Sequence, residues 1–103
     1  MIKEQDIQKQ LKEYLTLKGW MVIKNNTVGI FRQDTKRYIP NQSAGLADLT
    51  IIKKGRVIMI EVKREGNVQS DNQIEFEKNW KAKGGEYWLI YNLDELIEHL
   101  KKK

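Results

Sequence analysis

Leu49, Ile51, Ile58, Ile60 and Val62 fall on alternate positions of two runs, 46–52 and 56–63, that are rich in β-branched residues and flank Lys53-Lys54-Gly55-Arg56. Two such runs around a glycine-containing turn predict an antiparallel hairpin. If the chain turns about Lys54 and Gly55, Lys53 faces Arg56, Ile51 faces Ile58 and Asp48 faces Glu61. The five aliphatic side chains then share one side, an unbroken apolar surface that must lie against helices. A slip of one residue would turn all five outward, so burial fixes the register.

The rest of the chain is predicted around that hairpin. Ile7, Leu11, Tyr14 and Leu15 recur at helical spacing, and Gly19 follows as a left-handed stop, giving a helix over about 3–18. Residues 20–24 read as a short strand. The stretch 25–47 is polar, with glycines at 29 and 45 and the only proline at 40, although Ile30 and Phe31 suit a ragged strand. Ser70-Asp71-Asn72-Gln73 has the form of a capping box, and the helix it opens should end at Gly84-Gly85. Residues 86–91 read as a further strand, and Asp94 as the cap of a last helix carrying Leu96, Ile97 and Leu100. The predicted order is αβββαβα. A helix between the third and fourth strands is a crossover, so those two should be parallel in a mixed four-stranded sheet flanked by helices.

The 103 residues suit one domain, with no linker tract to divide it. No apolar run approaches the ~20 residues that span a bilayer, and the N-terminus lacks a signal-like stretch, so a cytoplasmic protein is expected. With no cysteine and only His99 as an imidazole, disulfides, thiol nucleophiles and cysteine-type zinc sites are excluded. Any metal must be held by oxygen. His99, among lysines on the last helix, reads as a solvated surface residue. A net charge of +5 favours a polyanionic partner, although an ordinary basic surface would have the same balance.

The chemistry is expected where the hairpin gathers Asp48, Glu61 and Lys63 on its second face. Facing carboxylates repel unless a positive group lies between them, which leaves the Lys63 ammonium or a hard divalent ion. Magnesium uses one or two carboxylates together with substrate phosphate, and phosphodiester hydrolysis is the reaction such a set suits. An ordinary salt-bridged strand pair would use the same residues, and the facing register tilts the reading towards function.

Gly45-Leu46-Ala47-Asp48, thirteen residues before Glu61-Val62-Lys63 and followed by Gln69 and Gln73, resembles the PD-(D/E)XK nuclease superfamily, in particular its VRR-NUC branch. The stand-alone phage and bacterial members of that branch resemble Holliday-junction resolvases. The resemblance runs from Glu4 to about Tyr91 and implies a restriction-endonuclease-like core of order αβββαβ. It implies that Asp48, Glu61 and the Val62 backbone carbonyl ligate Mg2+ or Mn2+, and that Lys63 assists the attacking water. It also implies that Glu4 is an extra active-site glutamate approaching the metal directly or through water, and that Gln73 lies beside the catalytic centre. Ala47 departs from the family pattern, which often has proline there. For Glu4 the plainer reading is an acid at the positive end of a helix, and for Gln73 a capping role alone.

Lys24, Asn25, Asn26, Arg32, Lys36 and Arg37 precede the catalytic strand and are expected to form a phosphate-binding rim, or else a set of solvated charges. A structure-selective endonuclease acting on four-way or other branched DNA is the leading expectation. A general or restriction-like nicking nuclease, a catalytically idle DNA-binding module and a protein-interaction domain are the alternatives. Symmetric cutting of a junction needs two active sites, so a homodimer is expected, in a bacterial or phage-infected cell. Trp20, Tyr38, Ile39 and Trp88 would serve its interface if exposed, while core positions are the competing reading for the tryptophans.

Overall fold

The computed structural model describes residues 2–25 and 45–102, with the backbone alone at 30–32 and 37–39. The chain runs α1 (Glu4–Leu17), β1 (Met21–Lys24), β2 (Ile30–Arg32), β3 (Arg37–Ile39), β4 (Leu49–Lys53), β5 (Arg56–Val62), α2 (Asp71–Ala82), β6 (Glu86–Ile90) and α3 (Leu93–Lys101). Strands β4 and β5 pair antiparallel in the register that the aliphatic residues dictate, Lys53 with Arg56 and Leu49 with Ile60. Lys54 and Gly55 both take positive φ, 51° and 81°. That is the geometry of a type I′ turn, whose twist matches the strands it joins.

The sheet order is β1-β4-β5-β6, with β1 antiparallel to β4 and β6 parallel to β5, so the mixed four-stranded sheet is as expected. The aliphatic side of the hairpin is fully covered. Leu49, Ile51, Ile58, Ile60 and Val62 are buried with Ile7, Leu11 and Leu15 of α1 and Leu96 of α3. On the other side, Ala47, Met59 and Tyr87 pack against Phe76 and Trp80 of α2. Helices therefore cover both faces, and the residues that alternate with the main core, Met59 and Glu61, face α2.

The helix ends follow local chemistry. Beyond α1, the Gly19 and Trp20 amides donate to the Thr16 and Leu15 carbonyls at 3.1 and 3.0 Å, a Schellman closure that needs the positive φ of Gly19 (91°). Trp20 thereby enters the core directly after the helix. At α2, Ser70 Oγ accepts from the Gln73 amide at 3.2 Å and Gln73 Oε1 accepts from the Ser70 amide at 2.9 Å, so both halves of the capping box form.

Three expectations are corrected, and the choice left open for the two tryptophans is decided. Strands β2 and β3 form a separate two-stranded sheet that the predicted order lacks; strands of three residues are too short to declare a period of two. The cap of α3 is Asn92, whose Oδ1 accepts from the Glu95 amide at 2.9 Å, and Asp94 lies in the first turn instead. Trp20 and Trp88 are core residues, each 8% exposed, and offer little to an interface; the side chains of Tyr38 and Ile39 lie outside the described residues. His99 is half-buried, its ring stacked on Trp88 at 4.9 Å, and burial holds its pKa below the usual histidine value. Among the described residues no helix is long and apolar enough to cross a membrane.

Candidate active site

Glu61 is the one charged residue in the buried set among the described residues, 1% exposed, and it reaches that position because strand alternation turns it away from the aliphatic core and towards α2. Gln73 Nε2 donates to its Oε2 at 2.8 Å, and Lys63 Nζ lies 3.5 Å from the same oxygen. The other oxygen, Oε1, is buried with no hydrogen-bond partner among the described residues. Asp48 sits one residue before β4, where its Oδ2 accepts from the Val62 amide at 2.8 Å. The register thus brings Asp48 to the strand end that carries Glu61 and Lys63.

Desolvation dominates the electrostatics. Burial first, and then the negative charge of Asp48, push the Glu61 carboxyl up to about 8 against the opposing pull of Lys63. Asp48 is also raised by burial, with the Val62 amide and Lys63 working the other way. Two carboxyl groups that resist ionising together, one of them with an orphaned oxygen, form a site that a cation would relieve. The donor set fits a hard divalent ion. Among the described residues no three histidine, aspartate or glutamate side chains converge, and magnesium needs only one or two carboxylates.

Glu4 reaches the same end of the sheet from the first turn of α1. Its Oε2 accepts from the Arg64 amide at 3.2 Å and from Asn67 Nδ2 at 2.8 Å, which ties the helix to the turn that follows Lys63. Partial burial opposes ionisation there, but the Asn67 and Arg64 hydrogen bonds and the positive charge of Lys63 and Arg64 hold its carboxyl below the usual range. Asn67 is in turn fixed by its carbonyl, which accepts from Tyr91 Oη at 3.2 Å. Gln69 donates to Glu77 Oε1 and Tyr87 Oη at 3.0 and 3.1 Å, so its amide braces α2 against β6 while Gln73 meets Glu61.

The approach to Asp48 is set by close packing. A Cβ on Gly45 would lie 2.0 Å from the Asn72 carbonyl oxygen, and Gly45 has φ +83°, so only glycine lets this segment cross the first turn of α2. Ala47 follows, fully buried beneath that helix. Of the expected phosphate-binding rim, Lys24 is exposed at the end of β1, whereas the Asn25 amide faces inward, to Ala47 and Thr50. Asn26 and Lys36, and the side chains of Arg32 and Arg37, lie outside the described residues. Sequence reasoning missed Asn67 and Thr50; Arg64-Glu65-Gly66-Asn67 has the composition of a turn, which was the available sign of the first.

A mixed four-stranded sheet with helices on both faces defines the class of α/β domain to which this architecture belongs. A solved structure described as a VRR_NUC domain superposes with a TM-score of 0.75 at 19% sequence identity, covering 99% of this chain and 98% of that one. The chain has the fold of that domain over its whole length. No protein-family model and no curated protein matches the sequence.

Proposed function

We propose that this chain is a metal-dependent DNA endonuclease domain that hydrolyses phosphodiester bonds, with four-way or other branched DNA as its preferred substrate. The observation that carries the reading is the pairing of half-buried Asp48 with buried Glu61, with Glu61 Oε1 lacking a hydrogen-bond partner among the described residues and Lys63 beside it. Its likeness in fold to a VRR_NUC domain supports the same reading. Asp48, Glu61 and the Val62 carbonyl would hold Mg2+ or Mn2+. When bound, such an ion supplies Lewis-acid polarisation of a phosphoryl oxygen and acidifies water.

The remaining work falls to the chain's own side chains. Gln73, anchored by the Ser70 amide, fixes the Glu61 carboxylate through its Nε2. Lys63 Nζ lies beside Glu61 Oε2 and is placed to hydrogen-bond the attacking water and orient it, or to stabilise charge developing on phosphorus. Glu4 acts by holding the backbone at Arg64, immediately after Lys63. Lys24 contacts backbone phosphate without reading bases. Two copies of the chain would present the two sites needed for paired cuts in a junction.

The test is cleavage of labelled four-way junction, flap, single-stranded and linear duplex DNA with Mg2+ or Mn2+, comparing the intact chain with Asp48→Ala and Lys63→Ala. Metal-dependent cutting that both substitutions abolish is expected, with the junction cut fastest. Equal cutting of linear duplex would make it a general nicking nuclease. Tight DNA binding without cutting under either metal would overturn the enzyme reading in favour of a binding module.

A further inference from the structure

We infer that Asn25 is a positioning residue for Asp48, using its side chain to supply the ladder contact that β1 and β4 lack at their open ends. This rests on the proposed metal-binding role of Asp48, and the geometry on which it is built is independent of that role. The β1–β4 pairing ends at Lys24 opposite Leu49. One step further the Asn25 amide donates to the Asp48 carbonyl at 2.8 Å. The Asn25 side chain then goes one step beyond the backbone, with Nδ2 donating to the Ala47 carbonyl at 2.9 Å. Its Oδ1 accepts from Thr50 Oγ1 at 3.0 Å, which fixes the orientation of the amide group.

Asp48 is therefore gripped from two sides. Asn25 holds the main chain of residues 47 and 48 from β1, and the Val62 amide holds the Asp48 carboxylate from β5. Asp48 lies outside β4 itself, and beyond the single backbone bond from the Asn25 amide it is the Asn25 side chain, holding the Ala47 carbonyl, that steadies the main chain leading into Asp48 and keeps the carboxylate aimed at Val62. A half-buried asparagine whose donor and acceptor are both engaged is suited to this task, and an aspartate is not. Asn25→Asp would keep the acceptor for Thr50 but set a negative oxygen against the Ala47 carbonyl.

The Val62 amide supplies a readout free of metal and substrate, because its proton is donated to the Asp48 carboxylate. Hydrogen exchange followed residue by residue in the metal-free chain should show Val62 exchanging about tenfold faster in Asn25→Ala and Asn25→Asp, the size expected for losing one such restraint. Ile58 and Ile60 should keep their protection. Thr50→Val, which removes only the brace on Oδ1, should give a smaller effect at the same amide. Calorimetric titration with Mn2+ should show weaker binding in the same order. Unchanged exchange at Val62 would overturn the inference, and so would a uniform acceleration along β5, which would reduce Asn25 to general stability. If the Val62 effect is present while the unsubstituted chain binds no Mn2+, the positioning stands and the metal reading of the site fails.

Discussion

Glu61 shows how one residue carries the conflict between folding and chemistry. Its ordinary carboxyl value is 4.5, and burial beside Asp48 raises it to about 8 in the metal-free fold. The unfolded chain gives up that proton first, so the stability tied to a neutral Glu61 is complete below about pH 4.5 and is lost as pH rises through 8. Urea titrations in chelator should show the metal-free chain weakening from pH 5.5 to 9, by on the order of 2–4 kcal/mol before Lys63 and solvent reduce the figure. Glu61→Gln should flatten that trend, stabilise the metal-free chain at pH 9 and abolish metal-dependent cleavage. An equally steep loss in the variant would show that another group is responsible. Asp48, raised chiefly by burial, contributes with the same sign as pH rises above its ordinary value of 3.8.

Elements differ in how openly the sequence declares them. The register of β4 and β5 is legible in the sequence because five aliphatic residues must be buried together, and that single requirement brings Asp48, one residue before β4, to the strand end that carries Glu61. The double role of Gln73 was half legible: Ser70 three residues earlier announces the capping box, but the turn of α2 that aims Nε2 at Glu61 depends on how the helix lies on β5. Gly45 was read as a loop residue, whereas it is dictated by a backbone crossing that no local pattern encodes. Asn25 was read as a phosphate contact because polar residues before a catalytic strand suggest one, and its inward hydrogen bonds depend on residues 22 to 25 positions away. Three substitutions test the element scale. Gly45→Ala meets the Asn72 carbonyl at a positive φ and should cost about 3 kcal/mol or more of unfolding free energy, read from urea titration. Gly66→Ala has the same sign of φ (91°) but no atom within 4 Å of the added carbon, and should cost about 1 kcal/mol. Lys54→Asn should instead stabilise by about 0.5–1 kcal/mol without affecting the site, because Asn-Gly suits the type I′ turn that Lys54 enters at φ 51°.

At the scale of the whole molecule the two ends of the sheet have different electrostatic duties. Under the proposed function a phosphodiester would have to reach the end of the sheet that bears the two acids Asp48 and Glu61, while the chain as a whole carries +5. Attraction would then have to come from residues around the acids, and Lys24, exposed at the end of β1 opposite Leu49, is one candidate for it. Contacts to backbone phosphate release counterions without reading sequence, so Lys24→Ala should weaken junction and linear duplex by the same factor and lower the slope of log affinity against log salt by roughly 1. Asp48→Asn removes a negative charge that repels the same phosphate, and in chelator it should tighten DNA binding while the salt slope stays unchanged. Fluorescence anisotropy across a salt series measures both quantities. A Lys24→Ala effect confined to one DNA shape would assign that lysine to structure selection, and no change in slope would remove it from the DNA-binding surface.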